Sequence, residues 1–200
     1  IFGGVSLNPM YWPAREEETH LTTANYKFHP RFTGAEYTTR FGDPTKCWHP
    51  NTFLEGGDVM PLGNGILLVG MGERSSLTAT TALAEKLFAA GAAERVIAAR
   101  LPKTRAAMHL DTVFTFCSED VINAYPPIVD NTWTLSLRPD ESKPLGIDIR
   151  RDGTKLVDTM NEALGRTFTV VPTGGDYINV EREQWNDANN TLALAPGVVV

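Results

Sequence analysis

Cysteine and histidine are both scarce in this chain of 200 residues. Its two cysteines, Cys47 and Cys117, are too few for a disulfide scaffold. Their contexts, KCWHP and TFCSED, match no paired-thiol redox motif, so both read as free thiols. Of the four histidines, His20, His29 and His49 are scattered, and only Cys47-x-His49 resembles part of a metal-binding pattern. No second pair stands at a ligating spacing, so neither a metal nor another cofactor is expected. Clustered positive charge is missing as well. With a formal net charge of -6 the chain lacks the concentrated basic surface that a phosphate backbone requires, which argues against a nucleic-acid partner. Long apolar runs are also lacking: none approaches the roughly 18 residues of a membrane span. The opening IFGGVSLNPMYW has neither the basic region nor the apolar stretch of a signal peptide. The expectation is a cytoplasmic protein with no membrane partner.

What is present suits one globular domain, with 42% hydrophobic and 21% charged residues. The first residue is Ile1 and the last four are Gly197-Val198-Val199-Val200, which read as an unfinished strand and so as a segment of a longer product. Between Glu55 and Leu101 the organisation is clearest. The runs DVMPL (58–62) and ILLVGM (66–71) flank Gly63-Asn64-Gly65, whose residues tolerate positive φ and fit a hairpin turn. Ser75-Ser76 then offers N-cap hydroxyls to an apolar stripe of Leu77, Thr80, Leu83, Ala84, Leu87 and Phe88, closed by Gly91. RVIAARL (95–101) reads as the next strand. The same order is expected again: strands over His109–Cys117 and Thr132–Leu137, a helix over Thr154–Leu164 ended by Gly165, and a strand over Phe168–Val171. Such a recurring ββαβ unit of ~50 to 60 residues suits a radial or stacked arrangement, although an ordinary α+β sheet would give the same periodicity. Near the start, Pro13-Ala14-Arg15 opens a helix through Tyr26 that Pro30 stops, and 31–50 reads as connection with at most a short strand.

Three places carry chemistry. His109 and Asp111 lie two apart, so on a strand both would project from one face, where a polar pair costs free energy unless it is satisfied or used. Glu55-Gly56-Gly57-Asp58 places carboxylates at the mouth of the hairpin, where they could grip a planar cation such as guanidinium, or form a plain acidic turn. Arg74, just before the helix, could hold a substrate carboxylate bidentately or pair with a surface acid. Spacing alone leaves each of these alternatives open.

Taken in order, GGVSLNPMYWPAR (3–15), HPRF (29–32), LEGGDV (54–59), LLVGMGER (67–74), MHLDTVFTF (108–116), EREQW (181–185) and NTLALAPGVVV (190–200) resemble the arginine deiminases along the whole chain. The resemblance implies an α/β fold, part of the α/β-propeller (pentein fold) of ββαβ modules. Those modules would fall near 1–54, 55–108 and 109–172, with another starting at 173–200. It implies hydrolysis of L-arginine to L-citrulline and ammonia through a covalent cysteine intermediate. His109 resembles the general acid/base, Glu55 its carboxylate partner, and Asp111 one of two aspartates that grip the guanidinium. Arg74 and Arg15 resemble the arginines that hold the substrate α-carboxylate. Two parts of the family pattern are not among these residues: an aspartate upstream of GGVSLNP and the cysteine of a Gly-rich segment ending His-Cys. The chain by itself is therefore expected to be inactive. Two alternatives remain at this stage, a non-catalytic guanidinium-binding module and a related deiminase or amidinotransferase with another guanidino substrate. The resemblance also leaves room for a homo-oligomer of the full-length enzyme.

Overall fold

The computed structural model describes residues 1–35, 37–43, 51–176, 178–195 and 197–200; Cys47 and His49 lie outside them. Near the start, β1 (Gly4–Ser6) and β2 (Thr38–Phe41) pair in parallel, with α1 (Glu16–Phe28) between them in the chain. The helix begins later than Pro13, because Pro13–Arg15 forms a 3-10 turn first.

The hairpin of β3 (Val59–Gly63) and β4 (Ile66–Met71) follows. Gly63, Asn64 and Gly65 all take positive φ, as its tight turn demands. Next, α2 (Leu77–Ala89) crosses over to β5 (Arg95–Arg100), which lies parallel to β4. Ser76 caps α2 by accepting from Ala79 N–H, and Gly91 in left-handed conformation closes it. The β4 strand is buried at all six positions because both faces of its sheet are covered. Leu67, Val69 and Met71 meet Leu83 and Leu87 of α2, while Ile66 and Leu68 belong to a second core with Leu110, Phe114 and Ile122. Burial at roughly 1.5–3 kcal/mol per large side chain fixes the helix against the sheet.

The second occurrence of this order departs from the sequence expectation. Residues 109–113 are not strand. His109 is extended, Leu110–Thr112 forms a 3-10 turn, and β6 (Phe114–Phe116) starts only afterwards. Its hairpin partner is β7 (Val121–Ala124), then comes α3 (Pro126–Val129). The long antiparallel pair β8 (Trp133–Pro139) and β9 (Ile147–Lys155) crosses to the first sheet, where β8 pairs with β5. Only then do α4 (Leu156–Leu164), ended by left-handed Gly165, and β10 (Thr169–Pro172) return, with β10 parallel to β7. The two units β3-β4-α2-β5 and β6-β7-α4-β10 thus share one pairing scheme, an antiparallel hairpin followed by a parallel crossover strand. After α5 (Asn179–Trp185), β11 (Ala193–Ala195) and β12 (Val198–Val199) form another antiparallel pair. The result is a mixed α/β molecule, its largest sheet ordered β3-β4-β5-β8-β9, with no closed barrel among the described residues.

Candidate active site

Glu55 is delivered by an extended segment anchored through fully buried Leu54, whose N–H donates to Pro9 O at 3.1 Å. A 3-10 turn over Gly56–Asp58 follows and leads into β3. Across from it, the turn after β5 presents His109 and Asp111. Thr112 Oγ1 donates to His109 O at 2.7 Å, which closes the turn that replaces the expected strand. His109 and Asp111 therefore meet through a turn and not through strand alternation, with Nδ1 and Oδ1 3.9 Å apart.

Glu55 is the hub. Its side chain is 1% exposed, and Oε2 lies 2.8 Å from His109 Nε2, 2.5 Å from Arg15 Nη1 and 3.7 Å from Arg74 Nη1. Tyr11 N–H donates to Oε1 at 3.1 Å. Glu55 and the imidazole of His109 thus touch directly, with no group between them. Burial pushes the Glu55 carboxyl upward, but the His109 hydrogen bond, the Tyr11 amide and the Arg15 charge together bring it below the usual range. For His109, burial favours the neutral ring, and the Glu55 hydrogen bond with the charges of Asp58, Glu55 and Asp111 outweighs it, raising its proton affinity. Asp111 is raised by burial and by Asp187, against the opposing pull of His109. Its Oδ1 is buried without a hydrogen-bond partner among the described residues.

Two glycines around the site have a steric purpose, Gly57 of the acidic turn and Gly70 of β4. A Cβ on Gly57 would overlap the Asp111 carboxylate, and one on Gly70 would overlap that of Asp58. Asp58 is fully buried. It accepts from Ser75 Oγ at 2.6 Å and from Leu110 N–H at 2.8 Å, and burial pushes its carboxyl up to about 7 against both bonds. Ser75 is thus not the helix cap that sequence suggested for the Ser75-Ser76 pair; Ser76 fills that place.

The two arginines differ. Arg15 is fully engaged, with Nε and Nη2 each 2.8 Å from Glu18 and Nη1 on Glu55. Arg74 is more deeply set, at 12% side-chain exposure, and its Nε is buried with no partner among the described residues. It keeps donors to spare.

His109 and Asp111 line a pocket of about 270 Å³ whose far wall is α5 and the turn after it, through Gln184, Trp185, Asp187 and Asn190. Gln184 ties this wall to the His109 turn by donating to Ala106 O at 2.6 Å. In the sequence EREQW stood out only as a motif; its Gln184 and the nearby Asp187 were not recognisable as site neighbours. A larger cavity of about 510 Å³, lined by Tyr11, Phe53, Ser75, Arg100, Lys103 and Trp133, holds none of the five expected site residues. The smaller pocket is lined by His109 and Asp111, though not by Glu55, Arg15 or Arg74, and with the imidazole and carboxylate side by side it is the better candidate for chemistry. Cys117 directly follows the β6 strand, its N–H donating to Val121 O at 2.8 Å across the hairpin. Among the described residues no group of three or more His, Cys, Asp or Glu side chains is placed to hold a metal ion, and no helix is long and apolar enough to cross a membrane. A buried carboxylate that raises the proton affinity of an imidazole, with a second carboxylate near the other ring nitrogen, is suited to binding a delocalised cation and passing protons to and from it. The arginine deiminase family model matches residues 1–200, and the chain belongs to that family.

Proposed function

We propose that this chain contributes the acid–base and substrate-holding part of an enzyme that hydrolyses L-arginine to L-citrulline and ammonia. Membership of the family makes the chemistry that of a hydrolase acting on guanidino groups. The observation that carries the finer reading is His109 set between Glu55 at 2.8 Å and Asp111 at 3.9 Å beside a pocket. The α/β-propeller is part of the same proposal, supported by the pairing scheme that the two ββαβ units share.

In this reading the thiolate comes from a cysteine outside these 200 residues. It attacks the guanidinium carbon and forms a C–S bond. The C–N bond then breaks, with the imidazolium of His109 giving its proton to the departing ammonia. Water attacks the same carbon, His109 takes one of its protons, and as the C–S bond breaks the other passes to solvent, returning the thiolate and releasing citrulline. Glu55 keeps the imidazole charged for the first half and orients it for the second. Asp111, whose Oδ1 accepts no hydrogen bond among the described residues, grips a guanidinium nitrogen. Arg74 is the main anchor of the α-carboxylate because its Nε donates to nothing among the described residues, and Arg15 is secondary because Glu18 and Glu55 already hold it.

Calorimetry of the chain with L-arginine tests this. Binding that Asp111→Asn weakens at least tenfold, or ~1.4 kcal/mol, without citrulline formation by the chain alone, is expected. A folded chain that takes up no arginine would refute the reading.

A further inference from the structure

Glu55 and His109 are 54 residues apart, one before β3 and the other after β5, and no shared strand sets their spacing. One unbroken hydrogen-bonded path does join their backbones. Glu55 N–H donates to Ser75 Oγ at 3.1 Å, Ser75 Oγ donates to Asp58 Oδ2 at 2.6 Å, and Leu110 N–H, next to His109, donates to Asp58 Oδ1 at 2.8 Å. Ser75 is 2% exposed and Asp58 0%. We propose that the buried Ser75–Asp58 pair is the device that fixes Glu55 against His109, both acting as positioning residues that do not touch substrate. The inference rests on the reading of Glu55 and His109 given above.

The chemistry of the pair explains why a carboxylate stands there. Burying it is costly, and a neutral amide of the same shape would also satisfy Leu110 N–H. What the amide lacks is a second acceptor. The carboxylate compels the Ser75 hydroxyl to donate downward, which leaves its lone pairs for Glu55 N–H. An asparagine could turn its NH2 to Ser75 and release that direction. The carboxylate also supplies negative charge behind the imidazole, where it favours the protonated ring. The floor of the site is shaped for it: at Gly70 of β4 a Cβ would meet the Asp58 carboxylate and stand 3.0 Å from Leu110 Cβ.

The test follows the imidazole nitrogens of His109 by NMR through a pH titration of the full 200-residue chain, with urea unfolding as the check on folding. Ser75→Ala and Asp58→Asn leave the other charges around the ring in place: Glu55 and Asp111, Arg15 and Arg74 facing Glu55, and Asp187 facing Asp111. In both variants the His109 midpoint is expected to fall toward the ordinary imidazole range, and arginine affinity to drop by roughly tenfold, the scale of one hydrogen bond. Ser75→Thr, which keeps the hydroxyl, restores both. Should Ser75→Ala not fold, arginine affinity in Asp58→Asn decides, because loss of the Asp58 charge lowers the His109 midpoint whether or not the pair positions Glu55. If the variants change stability while His109 titration and arginine affinity stay at wild-type values, the pair is only structural and the proposal falls. A different outcome identifies failure of the underlying reading: wild-type His109 titrating in the ordinary range and unmoved by Glu55→Gln would overturn the Glu55–His109 contact itself.

Discussion

Asp58→Asn should stabilise the fold at alkaline pH while weakening the site. The carboxyl is fully buried, and its pKa rises from 3.8 to about 7, chiefly through burial, with the Ser75 and Leu110 bonds and the His109 charge opposing. Because the folded pKa is raised, the folded state binds this proton more tightly than the unfolded chain. Stability is therefore lost as pH rises from 3.8 through about 7 and the native carboxyl is forced to ionise in a dry environment. About three units at 1.36 kcal/mol each make that loss about 4 kcal/mol. Asparagine avoids it but must bury an amide, at ~1–3 kcal/mol less what its hydrogen bonds return. A net gain of about 2 kcal/mol at pH 8.5 is expected, and essentially none near pH 4, where both side chains are neutral. For a chain of this size that corresponds to roughly 4–8 °C in melting temperature. Urea unfolding of wild type and variant at several pH values, read by tryptophan fluorescence, measures it. A stability difference that is the same at every pH would refute the reasoning, as would a variant less stable than wild type at pH 8.5.

Glu55→Gln should destabilise by about 2–3 kcal/mol, less than a fully enclosed pair because Arg15 is one-third exposed and can turn to Glu18 or water. Glu55 is depressed, so its contribution is present above 4.5 and lost as pH falls through the folded value; His109 is raised, so its contribution is complete below 6.5 and lost as pH rises through its folded value. The cost of the variant is thus largest between those two figures, and urea midpoints across pH 3–9 will show whether that window exists. Arg74→Ala should weaken arginine by at least tenfold, ~1.4 kcal/mol, and agmatine, which has no carboxylate, far less; equal losses in calorimetry would exclude the carboxylate role. Gly57→Ala should displace Asp111, since its Cβ overlaps that carboxylate, and lower stability by ~1–3 kcal/mol together with arginine affinity. Retained wild-type affinity would show that Asp111 does not need its observed place.

The parts of the fold that sequence revealed are those whose cause is local. Gly63-Asn64-Gly65 demanded positive φ and made the hairpin, and the Ser75-Ser76 and Gly91 signals bracketed α2. The parts it concealed depend on distant partners. The alternation in His109–Phe114 looks like a strand, yet the Thr112 hydroxyl turns back onto His109 O and the Leu110 amide turns toward Asp58, so the backbone curls instead. The four-residue β7 has no strong pattern of its own and exists because β6 and β10 flank it. Nothing in Trp133–Lys155 announces that it joins the sheet of an earlier unit. The same holds for the site: Glu55, His109 and Asp111 were recognisable as chemistry-bearing types, whereas the engagement of Arg15 by Glu55 and the place of Ser75 are set by contacts 40 and 20 residues away.

The passage of β8 and β9 into the sheet of the preceding unit imposes an order on assembly. During synthesis the free edge of β5 stays unpaired until β8 emerges, more than 30 residues later, since β5 ends at Arg100 and β8 begins at Trp133. The closing partner of β7 comes later still, at Thr169. A nascent chain halted between Asp111 and Asn131 would hold Glu55 and His109 already made, on a sheet whose open edge invites other strands. The interval in which this protein is most exposed to misassembly thus coincides with the synthesis of its own candidate site.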